Sequence, residues 1–154
     1  MQKNNTKLVL FILFVHILIS CSDNSISTIS QAENGNFVLS VTNQSLDMDP
    51  ALLEIYIDGK LAISKEFFWE YGRAHIKFTY QLEDGEHKIT VVSSQINLTK
   101  DTTFILPSTP YCLISFLYAD PRINYKGYRD ISVKFLTRPP VYADLFLIGL
   151  YPFA

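Results

Sequence analysis

At 154 residues the chain has room for one ordinary domain and too little for two. With 48% hydrophobic and 18% charged residues it is too apolar to stay disordered, and its 14% aromatic content favours strands over a helix bundle. A formal charge of −2 leaves no basic excess of the kind that neutralises phosphates, so nucleic acid is excluded as a partner class.

Residues 1–7 are polar, with Lys3 and Lys7 and no acid, and Leu8 to Ile19 is apolar apart from His16. A basic start followed by a short apolar run is the pattern of an export signal. The run spans about 18 Å as a helix, against a hydrocarbon core of about 30 Å, so a permanent membrane span is disfavoured. It ends in Leu18-Ile19-Ser20-Cys21. This resembles the lipobox of bacterial lipoproteins: leucine at −3, a small residue at −1 and an obligatory cysteine at +1. The resemblance implies cleavage between Ser20 and Cys21, a diacylglycerol on the Cys21 thiol and acylation of the freed amine. Several acyl chains give stable anchoring where one is marginal. Ser22 follows rather than Asp, which in such lipoproteins accompanies outer-membrane delivery, and Asp23 alone is too little for an acidic surface-export tag. Loss of residues 1–20 leaves 11 basic against 15 acidic residues, a net −4. A Cys21 carrying lipid cannot pair with Cys112, which is then a lone thiol inside the apolar run Tyr111 to Phe116 and is expected to be buried.

The rest of residues 21–35 is mostly polar and without period, which reads as a tether with an end-to-end distance of roughly 20 Å. From residue 36 to residue 154 the pattern is one of alternation. Phe37, Leu39 and Val41 mark a first strand, and Leu53, Ile55 and Ile57 a second. Asp58-Gly59 then leads into Leu61, Ile63 and Phe67, the strongest local hairpin signal because both turn residues must accept positive φ. The same dipeptide recurs as Asp84-Gly85 between Ile76, Phe78, Tyr80, Leu82 and Ile89, Val91, predicting a second hairpin. Further strands run through Phe104 and Leu106, through Cys112, Ile114, Phe116 and Tyr118, and through Ile131, Val133 and Phe135. About eight short strands with no useful helical period predict an all-β fold, an antiparallel β-sandwich, after the N-terminal signal helix and tether. A small closed barrel is the alternative. The stretch from Leu82 through Gly85-Glu86-His87-Lys88-Ile89-Thr90-Val91 resembles a turn-and-strand of immunoglobulin-like and fibronectin-like modules, which implies an Ig-like sandwich.

Catalytic signals are weak. His75 and His87 are the only histidines after the leader, and neither has a His, Cys or acid at metal-ligand spacing. There is no nucleophile elbow and no HExxH. Glu83, Asp84 and Glu86 lack the alternating oxygen ligands of a calcium loop and read as a solvated turn. No enzyme, metal or cofactor is therefore expected.

Binding signals are stronger. Phe67-Phe68-Trp69-Glu70-Tyr71 places four aromatics in five residues between two strands, so Phe68, Trp69 and Tyr71 are either a binding surface or a lid folded onto the core. A second stretch, from Asp120 to Arg129, adds Tyr125 and Tyr128 to one face if it lies beside the first. After Arg138-Pro139-Pro140, the run from Leu145 to Tyr151 is apolar on both faces of a strand, so it requires burial in its own domain or a protein partner. These features predict a lipid-anchored, non-enzymatic binding or accessory subunit of the cell envelope. The alternative is a carbohydrate-binding lipoprotein that stacks sugars on the loop aromatics.

Overall fold

The computed structural model describes residues 26–45, 47–69, 75–120, 122 and 127–140. The leader, Cys21, Tyr71, Tyr125 and the run from Leu145 to Tyr151 lie outside them. Eight strands form two four-stranded sheets, an all-β sandwich rather than a closed barrel. The strands are β1 (Phe37–Asn43), β2 (Ala51–Ile57), β3 (Lys60–Phe67), β4 (Ile76–Tyr80), β5 (Gly85–Ser93), β6 (Leu98–Leu106), β7 (Tyr111–Ala119) and β8 (Tyr128–Leu136). Sheet I has the order β3-β2-β5-β6 and sheet II the order β4-β1-β7-β8.

The predicted alternation fills the space between the sheets. Leu53, Ile55 and Ile57 of β2 face Phe37, Leu39 and Val41 of β1 in one buried cluster, joined by Ile89, Val91, Ile114 and Phe116. Phe104 stacks on Phe37 at 4.5 Å and on Phe135 at 5.0 Å between ring centroids, closing the β6–β8 side. Phe67 meets Phe78 edge-on at 6.3 Å on the β3–β4 side. The Tyr80 hydroxyl donates across the sheets to the Ala62 carbonyl at 3.1 Å, where β3 bulges opposite Ile55 and Tyr56. Burial pushes the Tyr80 phenol up to about 12.

Two departures from the expected topology matter. The sandwich is not wholly antiparallel: β7 lies parallel to β1, with Val38 opposite Tyr111 and Asn43 opposite Phe116. A parallel neighbour requires a crossover connection, and here the chain passes through sheet I between the two strands. The two Asp-Gly dipeptides also differ. Asp58 and Gly59 have φ of 51° and 75° and form the tight β2–β3 hairpin. Asp84-Gly85 makes no hairpin, because it joins β4 in sheet II to β5 in sheet I. Asn36 fixes that crossover: its amide accepts from Leu82 N and donates to Leu82 O, both at 2.9 Å, holding buried Leu82 across from the start of β1.

Strands β1 to β6 take the places of strands B, C, C′, E, F and G of an immunoglobulin sandwich. The place beside B, where strand A lies in that fold, is taken by β7, with β8 at the sheet edge. Part of the segment read as a tether lies against the sandwich. Thr28 bridges Leu61, Ile29 packs against the core, and Ala32 N donates to Thr79 O at 2.8 Å.

Candidate functional site

The pairings sort the connections into two ends. At the turn end lie the Asp58-Gly59 hairpin, the β4–β5 crossover and the β6–β7 connection. At the loop end lie 44–50, the segment after Phe67, the 3-10 turn Ser94–Ile96 and the connection from Ala119 to Tyr128. Phe68 and Trp69 therefore stand at the same end of the sandwich as Tyr128. The pair and Tyr128 stand at different corners, because β3 flanks β4 on one side and β8 flanks β6 on the other. With strands about 4.8 Å apart and sheets about 10 Å apart, the backbones at Trp69 and Tyr128 are separated by roughly 18 Å.

What lies between them is a polar staple that begins in the core. Asn43, at the last position of β1, is buried, as is Ser45. The Asn43 amide donates to Met48 O at 2.9 Å and to Phe67 O at 3.0 Å, while its oxygen accepts from Ser45 N at 2.9 Å. The Ser45 hydroxyl donates to Tyr118 O and accepts from Met48 N, both at 2.9 Å. One loop is thereby tied to β3 and to β7, and both polar atoms of the Asn43 side chain are used. Satisfied buried networks of this kind rigidify what they hold.

Two aspartates extend the staple outward. Asp49 Oδ1 accepts from Trp69 N at 2.8 Å, and Asp47 Oδ2 accepts from Asp120 N at 2.8 Å. On the far side Asp120 holds Arg122 through Nε and Nη2, the latter at 2.6 Å. The Arg122 guanidinium keeps the Asp120 carboxyl down to about 2. Gln95 closes the sheet I side, accepting from Leu52 N at 2.6 Å. Against this frame Phe68 is 57% exposed and Tyr128 47% exposed, with the Tyr128 hydroxyl donating to Asp130 at 3.3 Å. Trp69 is half-buried. Phe68 thus belongs to the surface, while Phe67 ends its strand in the core.

The residues with catalytic potential are placed elsewhere. Cys112 is buried in the core, and burial pushes its thiol far above the ordinary range. His75, just before β4, has both ring nitrogens buried without a hydrogen-bond partner; burial, then the charge of Lys77, holds its pKa below the usual value. His87 has an acid partner that sequence spacing did not reveal. Its Nδ1 lies 2.7 Å from Asp58 Oδ2 and its Nε2 lies 2.8 Å from Glu83 O, at the turn end. Both neighbours are acceptors, so only the imidazolium satisfies both nitrogens. Burial opposes the charge, but the Asp58 and Glu83 hydrogen bonds outweigh it and raise the His87 pKa. With Nε2 committed to a backbone carbonyl, the pair works as a latch between the hairpin and the crossover, not as a base. Among the described residues no three His, Cys, Asp or Glu side chains converge as metal ligands do.

Asn43, Ser45, Asp47 and Asp49 were not legible as site residues. The signal was present in the spacing Asn43-Gln44-Ser45 and Asp47-Met48-Asp49-Pro50, a density of residues that bond their own backbone neighbours. In comparisons with known proteins, the chain matches no protein-family model, no curated protein and no solved structure.

Proposed function

We propose that this chain is an exported lipoprotein of the bacterial cell envelope, anchored through lipid on Cys21, whose sandwich serves as a non-enzymatic binding or accessory subunit. Its binding face is the loop end. One observation carries the reading: the chain joins the sandwich at the turn end, where Leu61 N donates to Ser27 O at 2.9 Å, opposite the loop end. A lipid on Cys21 would be six residues from Ser27, nearer the turn end than the loop end that carries Phe68, Trp69 and Tyr128. Strands of seven to nine residues lift that face about 25 Å from the anchored end. Phe68 and Tyr128 stand at separate corners of a hydrogen-bonded frame, which suits a broad protein surface. The buried Cys112 thiol and the doubly bonded His87 support the non-enzymatic part of the proposal.

The second reading is a carbohydrate-binding lipoprotein. It is favoured by the adjacent Phe68 and Trp69 at one corner, which would stack on an extended glycan. Ser22 supports outer-membrane placement in either case.

Two experiments test the proposal. Metabolic labelling with an alkyne fatty acid should mark the wild-type chain and not Cys21→Ala; equal labelling of both removes the anchor. In-cell cross-linking of the lipidated protein should then recover one stoichiometric envelope protein, lost in Phe68→Ser/Tyr128→Ser. Recovery of the chain alone, together with glycan binding abolished by Trp69→Ala, would replace the subunit reading with the carbohydrate one.

A further inference from the structure

Sheet II has two faces, and the second is buried without a described reason. Cys112, Ile114 and Phe116 of β7 point into the core, so by alternation Leu113, Ser115 and Leu117 point away from sheet I. Those three are 0%, 0% and 2% exposed, as closed to solvent as the core itself. On β1 the outward Ser40 and Thr42 are likewise buried. Every described strand belongs to one of the two sheets, so none forms a layer on that side.

The burial is graded across the sheet. Ser40 and Thr42 on β1 and Leu113, Ser115 and Leu117 on β7 are buried, while toward the edges outward Thr79 on β4 and Ser132, Lys134 and Leu136 on β8 are half-buried and Lys77 and Tyr128 are exposed. The covered part is thus centred on β1 and β7. The N-terminal segment reaches the sandwich on the opposite side, at Leu61 of β3 and Thr79 of β4. The C-terminal segment leaves from the covered side, since β8 ends at Leu136 beside Tyr111.

We propose that the C-terminal run from Leu145 to Tyr151 packs as a third layer on the outer face of sheet II, over Leu113, Ser115 and Leu117. Length permits it. Residues 137–144 reach up to about 26 Å when extended, enough to turn back after Pro139-Pro140. Seven extended residues then cover about 23 Å, more than the roughly 13 Å between Leu113 and Leu117. Chemistry matches as well. Leu113, Ser115 and Leu117, with Ser40 and Thr42 on β1, carry no charge, and neither does Leu145-Phe146-Leu147-Ile148-Gly149-Leu150-Tyr151; the outward charges lie to either side, Lys77 on β4 and Asp130 and Lys134 on β8. The Ser115 hydroxyl has no hydrogen-bond partner, as expected under a dry apolar cover. After the leader run Leu8–Ile19, the chain abandons alternation at β7 and in the tail, where a strand must be buried on both faces. Each supplies the surface the other needs. The tail is then part of the domain's own packing and not its docking strand for a partner.

The test uses the full chain with photo-leucine, an isosteric diazirine, in place of leucine. Irradiation should join peptides containing Leu113 or Leu117 to the C-terminal peptide within one chain. Cross-links from Leu113 and Leu117 to residues 8–19, to a second copy or to lipid would overturn the proposal. An independent measurement is alkylation of Ser115→Cys in a Cys112→Ala background. Intact chain should react at least about 100-fold more slowly than chain truncated after Pro140, because only local opening admits the reagent. Equal rates, fast or slow, refute the assignment. If the truncated chain does not fold, the photo-leucine pattern decides alone.

Discussion

Replacing Asn43 by alanine removes three hydrogen bonds from the loop end at one stroke, those to Met48 O, Phe67 O and Ser45 N. Each is worth about 1 kcal/mol net, and the buried Phe67 carbonyl, left unpaired, adds its own desolvation cost, so the expected loss is about 3 kcal/mol. That is a large share of the ~5–15 kcal/mol that holds an ordinary domain. At about 4 °C per kcal/mol for a domain of this size, the melting temperature should fall by about 12 °C. Thermal and urea unfolding followed by far-UV circular dichroism measure both quantities. Asn43→Asp separates hydrogen bonding from packing. A carboxylate keeps the acceptor for Ser45 N but turns an oxygen toward the Met48 and Phe67 carbonyls, where Asn43 had donors. Its folded-state pKa is therefore raised, and the extra destabilisation is present at neutral pH and relieved as pH falls through that value. A loss below about 1 kcal/mol for Asn43→Ala, or an Asn43→Asp variant indifferent to pH, would refute the view that this network holds the loops.

The His87–Asp58 latch has a defined pH window. The raised His87 pKa gives stability that is whole below the unfolded value of 6.5 and lost as pH rises through the folded one. The lowered Asp58 pKa, opposed by burial but driven by the His87 and Lys88 hydrogen bonds, gives stability lost as pH falls through its folded value. The unfolding free-energy difference between wild type and His87→Gln should therefore peak between the two and shrink toward alkaline pH; a flat profile contradicts the imidazolium assignment. Gly35→Ala should cost about 3 kcal/mol or more and cut soluble yield, because its Cβ would lie 2.1 Å from Tyr80 O. Gly59→Ala meets nothing within 4 Å and strains only φ at 75°, so it should cost about 1–2 kcal/mol; equal losses for the two would show that the close approach is not rigid. Cys112 should resist alkylation in the folded protein and react at the rate of global unfolding, and rapid modification under native conditions would reopen the question of a reactive thiol.

The strands were legible because alternation is a local property, and Phe37-Leu39-Val41 or Leu53-Ile55-Ile57 announce a buried face without reference to anything else. Pairing was legible only where the turn itself decided it. Asp58-Gly59 and Asp84-Gly85 are the same dipeptide between similar apolar runs, yet one is a hairpin and the other a crossover. The difference is made by Asn36, 46 residues before Leu82, which takes both backbone groups of Leu82 and holds the chain at the rim of sheet II. The parallel β1–β7 pair was equally invisible, since its partners are separated by the whole of sheet I.

The same logic divides the candidate site. Clustered aromatics at Phe68 and Trp69 are a local signal and were found, while the staple beneath them runs from Asn43 to Phe67 and from Ser45 to Tyr118, 24 and 73 residues away. A short loop by itself offers Phe68, Trp69 and Tyr128 no common frame. Here the β7–β8 hairpin, added where an immunoglobulin sandwich places strand A, brings Asp120 and Tyr128 to the loop end, and Asp47 and Asp49 bind the two corners through one connection. A surface held this way loses little entropy on meeting a partner, since its backbone is fixed before contact. On the proposed reading of the loop end as a binding face, cutting the staple at Asn43 should weaken capture of the cross-linked partner as Phe68→Ser/Tyr128→Ser does, although Asn43 itself is buried and would be out of a partner's reach.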